Sequence, residues 1–252
     1  MHKILDIRRF SSFVDNNEVA NFAKLGGVWM DENNEFKALH SLNKFRVPAI
    51  LKSVNSSNLK DKNILEIGSG GGILSFSLAR LGASVTGVDA CKESVLSAKT
   101  SAEQILNNKI RKRVNFIHDT VEEFSKVNKN KYDIVIASEV IEHVPNVEDF
   151  VNKCGSCLKD NGLIFFSTIN KTFLSKLLAI KMAEDILGIV PQGVHDWNKF
   201  VNPNYLTEVL NNNNISVTSC SGIGYNPLSN NWFWINNTNV NYFLIGKKNY
   251  CK

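Results

Sequence analysis

The chain has 252 residues, 43% of them hydrophobic, and a formal net charge of +5. This length and composition predict a single globular domain over 1–252, and the scattered lysines argue against nucleic acid as a partner. The first residues lack the apolar segment and cleavage site of a secretory signal, so we expect a cytoplasmic protein.

The N-terminal part, 1–58, is predicted to form a helical lid. The stretch EFKALHSLNKFRVPAILKSV has the pattern of a helix that is disturbed at Pro48, because proline lacks a backbone N–H. It carries Arg46, which has two interpretations. Arg46 is either a surface residue or a lid residue whose guanidinium binds a ligand carboxylate through two hydrogen bonds.

From residue 59 to 168 the chain alternates short β-branched runs with helical stretches. This pattern predicts an α/β fold with a parallel sheet and helices on both faces. The predicted strands are 63–67, 84–88, 113–117, 132–137 and 162–168, and the predicted helices are 71–81, 92–107, 121–126 and 146–158. Cys154 and Cys157 lie on the last helix. We expect them to be packing residues, because no second cysteine pair has the spacing of a zinc site.

A glycine cluster, Gly68, Gly70 and Gly72, joins the first predicted strand to the next helix. Glycine lets the backbone turn sharply and approach a ligand closely. Asp89 ends the second strand, 21 positions after Gly68 (89 − 68), where a carboxylate can accept hydrogen bonds from ribose hydroxyls. Sites for NAD and for S-adenosylmethionine both use this arrangement.

Two residues favour S-adenosylmethionine. Ile73 stands where the dinucleotide fingerprint needs a third glycine, and Glu66 would repel a diphosphate but tolerate the cationic methionyl end. Asp119, just past the third strand, is placed to accept the adenine amino group. The alternative is that Asp119 or Thr120 caps the following helix.

The motif SEVIEHVP follows the fourth strand and contains Glu139, Glu142 and His143. At positions i, i+3 and i+4 these residues share one face if the turn is helical. Two carboxylates and an imidazole suit a divalent cation, which would acidify an oxygen bound to it. The alternatives are His143 as a general base without a metal, and a purely structural role.

The pattern changes after residue 168. We predict a helical insertion over 169–200, with an apolar helix at about 172–190 that packs on the lid or lies on an anionic lipid surface. His195 beside Asp196 is either a general base or part of a turn. The C-terminal part, 201–252, is predicted as a helix near 203–212, strands at 215–222 and NYFLIG, and an intervening aromatic-rich loop that packs on the core or lines the site.

The motifs LEIGSGGG and SEVIEHV resemble those of class I S-adenosylmethionine-dependent methyltransferases. The stretches GGVWMDENNEFKALHSLNKFR, FFSTINKT and GVHDWNKFVNP are similar to ubiquinone biosynthesis O-methyltransferases, over roughly 14–246. The resemblance implies a Rossmann-like fold with a mostly parallel seven-stranded sheet and an antiparallel last strand. It also implies cofactor contacts at Arg46, Gly68, Asp89 and Ser138. Because relatives commonly carry a larger residue at Ser138, we expect a backbone contact there.

Enzymes of that family methylate ring hydroxyls of polyprenylated phenols and catechols, and they are thought to hold Mg²⁺ at positions that match Glu139, Glu142 and His143. The resemblance therefore implies an O-methyltransferase with S-adenosylmethionine, a divalent cation and a polyprenylated acceptor. It also implies peripheral contact with anionic lipid on the inner membrane surface and association with other enzymes of the pathway. Two alternatives are a methyltransferase of another small phenol and an NAD-linked oxidoreductase.

Overall fold

The computed structural model describes residues 15–24, 29–33, 36–170 and 200–250. Within these residues the strands are β1 (Asn63–Ile67), β2 (Ser84–Asp89), β3 (Val114–His118), β4 (Tyr132–Ser138), β5 (Leu158–Ile169), β6 (Ile215–Asn226), β7 (Asn231–Ile235) and β8 (Asn241–Lys248). The helices are α1 (Asn16–Lys24), α2 (Lys37–Ser53), α3 (Ile73–Arg80), α4 (Lys92–Ile105), α5 (Asn108–Arg111), α6 (Val121–Ser125), α7 (Val147–Cys157) and α8 (Pro203–Asn212). A 3₁₀ turn spans Ile141–His143.

All eight strands join one sheet in the order β3-β2-β1-β4-β5-β8-β6-β7. Strands β1 to β5 are parallel, and β8 runs antiparallel between β5 and β6. The predicted α/β class and the antiparallel last strand are confirmed. The strand order reverses between β1 and β4, and such a switch point opens a crevice at the carboxyl ends of the strands.

Both faces of the sheet are covered by helices. On one face, Leu65 and Val135 lie in a buried cluster with residues of α6, α7 and α8. On the other face, Ile64 and Ile134 lie in a cluster with residues of α2 and α3. Ile64 and Leu65, like Ile134 and Val135, are adjacent in sequence but lie in different clusters, because successive strand residues point to opposite faces. Such burial favours the fold by roughly 1.5–3 kcal/mol for each large aliphatic side chain.

Side-chain caps set where several helices begin. Thr120 Oγ1 accepts from Glu123 N–H at the start of α6, and Asn146 Oδ1 accepts from Asp149 N–H at the start of α7. These bonds satisfy backbone donors that have no partner within the helix. On α7, Cys154 and Cys157 are fully buried free thiols, so their prediction as packing residues is confirmed.

The predicted count of seven strands is wrong, because the aromatic-rich segment is a strand rather than a loop. Strand β7 pairs antiparallel with the extended end of β6. Its aromatic side chains pack on α2: Trp232 Nε1 donates to the Ala38 carbonyl at 2.9 Å, and the rings of Trp234 and Phe45 lie 4.0 Å apart. These tryptophans therefore anchor α2 to the sheet edge.

Helix α2 continues through Pro48. The predicted insertion falls almost wholly outside the described residues, since β5 runs to Ile169 and the description resumes at residue 200. Each described helix is too short or too polar to cross a membrane.

Candidate functional site

A crevice lies at the carboxyl ends of β1, β2 and β4, where the strand order reverses. Its lining combines the glycine loop, the ends of these strands and side chains from α1 and α2. The lining includes Glu18, Phe22, Trp29, Arg46, Glu66, Gly68, Ser69, Gly70, Asp89, Asp119, Ser138, Glu139 and His143. The fold thus brings together every predicted site residue except Glu142, which is buried and does not line the crevice, and His195, which lies outside the described residues.

The glycine loop needs glycine for two reasons. Gly68 and Gly70 have φ values of +67° and +52°, in the left-handed region that side chains disfavour. A Cβ at Gly68 would lie 2.4 Å from Val140, and a Cβ at Gly70 would lie 2.6 Å from the Trp29 ring. The loop is therefore held between the segment after β4 and Trp29.

Asp89 ties the glycine loop to the end of β2. Its Oδ2 accepts from Gly70 N–H at 2.7 Å, and its Oδ1 accepts from Cys91 N–H at 2.8 Å. Burial raises the pKa of Asp89, and these two bonds oppose the shift. Each carboxylate oxygen has a second lone pair, which can accept from a ligand hydroxyl.

Three polar atoms at the crevice have no hydrogen-bond partner among the described residues. They are the indole Nε1 of Trp29 and the hydroxyls of Ser69 and Ser94, all buried. A buried polar group without a partner costs free energy, so these atoms indicate that a polar ligand completes the site. The sequence interpretation assigned no role to these three residues, although Trp29 and Ser69 lie in motifs that carry the resemblance.

Glu66 lies beneath the glycine loop and is 4% exposed. Ser75 Oγ donates to its Oε2. Burial raises the pKa of Glu66 to about 7, although the nearby Arg46 charge and the Ser75 bond act in the opposite direction. The fold therefore favours the neutral carboxyl over the charged one.

Glu66→Gln is expected to increase the free energy of unfolding at about pH 8, by up to roughly 3 kcal/mol at 1.36 kcal/mol per pKa unit. The raised pKa means that the stability contributed by the neutral carboxyl is present below its usual 4.5 and is lost as the pH rises through about 7. Urea unfolding of both ligand-free proteins at several pH values from about 4.5 to 8 measures the difference. A difference that does not grow with pH would contradict the assignment.

Arg46 is buried, 4% exposed, so its interpretation as a surface arginine is wrong. Its Nη1 donates to Ser138 Oγ and its Nε donates to Asn43 Oδ1, both at 2.7 Å. Asn43 in turn donates to the Ile73 carbonyl at the start of α3. Asn43, which the sequence interpretation missed, thus joins α2 to the helix that follows the glycine loop.

A chain of hydroxyl contacts leads from Arg46 to Glu139. Ser138 Oγ and Ser167 Oγ are 2.6 Å apart, and Ser167 Oγ donates to Glu139 Oε1 at 2.6 Å. Ser138 therefore meets Arg46 through its side chain. Ser167 was not singled out from the sequence, but it stands in FFSTINKT at the end of the neighbouring strand, which was a usable signal.

The acidic residues after β4 are buried and influence one another. Burial, followed by the Glu142 charge, raises the pKa of Glu139 to about 7, and burial also raises the pKa of Glu142. Burial alone would lower the pKa of His143, but a hydrogen bond to Glu18 and the charges of Glu142, Glu18 and Glu139 raise it overall. The site thus holds groups that can exchange protons near neutral pH.

The three predicted metal ligands do not share a helical face. Glu139 has φ +57°, and His143 ends a 3₁₀ turn, so the predicted spacing argument is wrong. Glu142 Oε2 accepts from Thr168 Oγ1 at 2.8 Å. Across the described ranges, no group of three or more His, Cys, Asp or Glu side chains is arranged to hold a metal ion. Only the chemistry of the donor set fits a cation.

Thr120, rather than Asp119, supplies the side-chain cap of α6. The carboxylate of Asp119 accepts from Thr120 N–H at 2.9 Å and lines the crevice beyond Asp89. Asp119 therefore stays a candidate adenine-binding residue by its position in the crevice.

Comparison with known proteins shows which family the chain matches. Residues 40–219 match the family model described as a methyltransferase domain. The chain is 42% identical over 242 residues to the mitochondrial ubiquinone biosynthesis O-methyltransferase of Rattus norvegicus, covering 92% of this chain and 69% of the relative. It is 36% identical over 244 residues to the ubiquinone biosynthesis O-methyltransferase of Pelagibacter ubique, covering 94% of this chain and 99% of that relative.

Solved structures share the architecture. Magnesium protoporphyrin IX methyltransferase from Synechocystis, determined with bound SAH, matches with a TM-score of 0.63 and 20% identity over 85% of each chain. A SAM-dependent methyltransferase from Aquifex aeolicus matches with a TM-score of 0.57 and 14% identity, covering 82% of this chain and 91% of that one. At these identities the likeness shows the fold.

Proposed function

The chain belongs to the ubiquinone biosynthesis O-methyltransferases, and from this premise we propose that it methylates a ring hydroxyl of a polyprenylated phenol or catechol with S-adenosylmethionine. One observation carries the proposal. A single crevice joins the glycine loop and Asp89 to the acid–base pair Glu139 and His143, so a cofactor and an acceptor can meet in it.

The residues present fit S-adenosylmethionine. We assign Asp119 to the adenine, Asp89 to the ribose hydroxyls and Arg46 to the methionyl carboxylate. The unpartnered Trp29 and Ser69 atoms support a polar ligand beside the loop of Gly68 and Gly70. Because burial raises the pKa of Glu66 to about 7, its repulsion of a diphosphate is weaker than the sequence predicted. Ile73 disfavours an NAD-linked reaction, because it stands where the dinucleotide fingerprint needs a third glycine.

The cofactor supplies a methyl group on a cationic sulfur. The protein has to hold the acceptor oxygen in line with that group and remove its proton, because a phenol with a pKa near 10 is a poor nucleophile at neutral pH. When no cation is bound, we assign removal of this proton to His143, which lines the crevice and lies near several carboxylates. His195 remains a second candidate from the sequence, outside the described residues.

We further propose a divalent cation, Mg²⁺ by the family resemblance, held by Glu139, Glu142 and His143. Its support is the chemistry of the donor set. Two buried carboxyls lie close enough for the charge of Glu142 to raise the pKa of Glu139, and a cation would relieve that repulsion. When bound, it would make a catechol hydroxyl more acidic.

Exhaustive chelation is therefore expected to abolish turnover and to leave S-adenosylmethionine affinity unchanged, because the cofactor half of the crevice does not use these ligands. Titration calorimetry measures affinity, and product formation measures turnover. Restoring Mg²⁺ is the control. Full turnover after chelation would remove the cation from the proposal and leave His143 as the base.

A polyprenylated acceptor is itself a lipid. Peripheral contact with an anionic membrane and association with other enzymes of the pathway remain proposals that follow from this substrate chemistry. The segment that carries them in the sequence, 172–190, lies outside the described residues.

A mass-spectrometric assay tests the main proposal. Purified protein with S-adenosylmethionine and a short-chain prenyl catechol is expected to yield the methyl ether and S-adenosylhomocysteine. Turnover of a simple phenol but not of the prenyl catechol would favour the alternative acceptor class. A thermal shift with NADH but none with S-adenosylmethionine would overturn the cofactor assignment.

A further inference from the structure

Helix α1 brings a carboxylate to the imidazole of His143. With Glu139, His143 lines the part of the crevice proposed for the acceptor, the acceptor half. Glu18 Oε2 lies 3.3 Å from His143 Nδ1. Both side chains are largely shielded, with exposed fractions of 14% and 17% respectively, so this contact is stronger than a pair on the open surface. Neither the motif after β4 nor the glycine loop contains Glu18, which enters from the N-terminal lid.

Aromatic contacts dock α1 on the same histidine and on the cofactor loop. The Phe22 ring meets the His143 ring edge to face, with centroids 5.6 Å apart, and it stacks with Trp29 at 6.4 Å. Trp29 lies against the glycine loop, since a Cβ at Gly71 would lie 2.2 Å from its side chain. Helix α1 therefore rests on both halves of the crevice.

The contact at Nδ1 determines what the other ring nitrogen can do. A neutral imidazole has one N–H and one lone pair. If Nδ1–H donates to Glu18, the lone pair is on Nε2, which can accept a proton or bind a cation. A carboxylate in this position also fixes the orientation of the ring.

We propose that Glu18 is a positioning residue for His143, supplied by α1, so that the imidazole becomes competent only when this helix is docked over the crevice. The proposal rests on the proposed methyl transfer. It holds whether Nε2 acts as a base or as a metal ligand, because both need the same tautomer.

A double-mutant cycle tests it. Glu18→Ala is expected to lower kcat by about 10- to 100-fold, the usual effect of losing the carboxylate behind a functional histidine, with KM and cofactor affinity changed much less. Glu18→Asp is expected to recover part of the rate. Combined with His143→Ala, Glu18→Ala is expected to cause no further loss. Asn17→Ala, at an exposed neighbour on α1, is the matched control.

Wild-type kcat in Glu18→Ala, or an equal loss when His143 is already alanine, would overturn the proposal. An inactive wild-type protein would instead refute the proposed function, and a second measurement then still tests Glu18. Nitrogen-15 spectra at alkaline pH, with the ring assigned through His143→Ala, are expected to show the Nδ1–H tautomer in wild type and its loss in Glu18→Ala. An unchanged tautomer would refute the contact.

Discussion

Asp89→Ala is expected to weaken S-adenosylmethionine binding by about 10- to 100-fold, the equivalent of roughly 1.5–3 kcal/mol for hydrogen bonds to a charged group. The carboxylate is expected to bind the ribose hydroxyls, and it also holds the Gly70 N–H at 2.7 Å. Its loss is therefore expected to remove ligand contacts and to loosen the glycine loop, which is proposed to lie beside the methionyl group. Titration calorimetry measures the dissociation constant.

Asp133→Ala is the matched control for this change. Asp133 also accepts from a backbone N–H, that of Asn63 at 2.8 Å, but it lies at the amino ends of β1 and β4. We expect Asp133→Ala to reduce stability and to leave cofactor affinity intact. A wild-type dissociation constant in Asp89→Ala would show that the crevice is not the cofactor site.

His143→Ala is expected to lower kcat by about 100-fold or more, the usual range for loss of a positioned acid–base group. The imidazole is surrounded by carboxylates that raise its pKa, and it lines the acceptor half of the crevice. Cofactor affinity is expected to change little, because the glycine loop and Asp89 do not depend on this ring. Single-turnover kinetics separates the chemical step from binding.

His118→Gln serves as the control histidine. His118 ends β3, and its Nε2 lies 3.0 Å from the carbonyl of Ala90, a crevice-lining residue next to Asp89. A modest change in cofactor affinity with kcat preserved is expected. Equal losses of kcat in both variants would show that His143 has no special part in the chemistry.

The cofactor half of the site was predictable from the sequence because its parts are close together along the chain. A strand, a glycine loop, a helix and a second strand ending in Asp89 occupy residues 63–89, and each has a local signal: β-branched runs, glycines where φ is positive, and a single carboxylate at a strand end. The predicted helix 71–81 and strand 84–88 differ from the observed elements by no more than two residues at either end.

For the acceptor half of the crevice, the sequence predicted which residues are present but not how they are arranged. The spacing of Glu139, Glu142 and His143 suggested a helical face, but Glu139 adopts φ +57° and its N–H donates to the Ser167 carbonyl of the neighbouring strand. That conformation is stabilised by pairing between strands, and spacing within one motif cannot reveal such a partner.

Local patterns thus determined the α/β class, the glycine loop and the strand-end carboxylates, because periodicity and turn chemistry act over a few neighbouring residues. Tertiary structure alone decided that β7 is a strand, that Arg46 is buried beside Asn43 and Ser138, and that Glu18 meets His143. Each of these depends on which distant segments pack together, and the local sequence of one segment does not identify its partner. The physical reason is that burial and hydrogen bonding are satisfied over the whole fold, so a side chain acquires its partner only when the sheet order brings the two segments to one crevice.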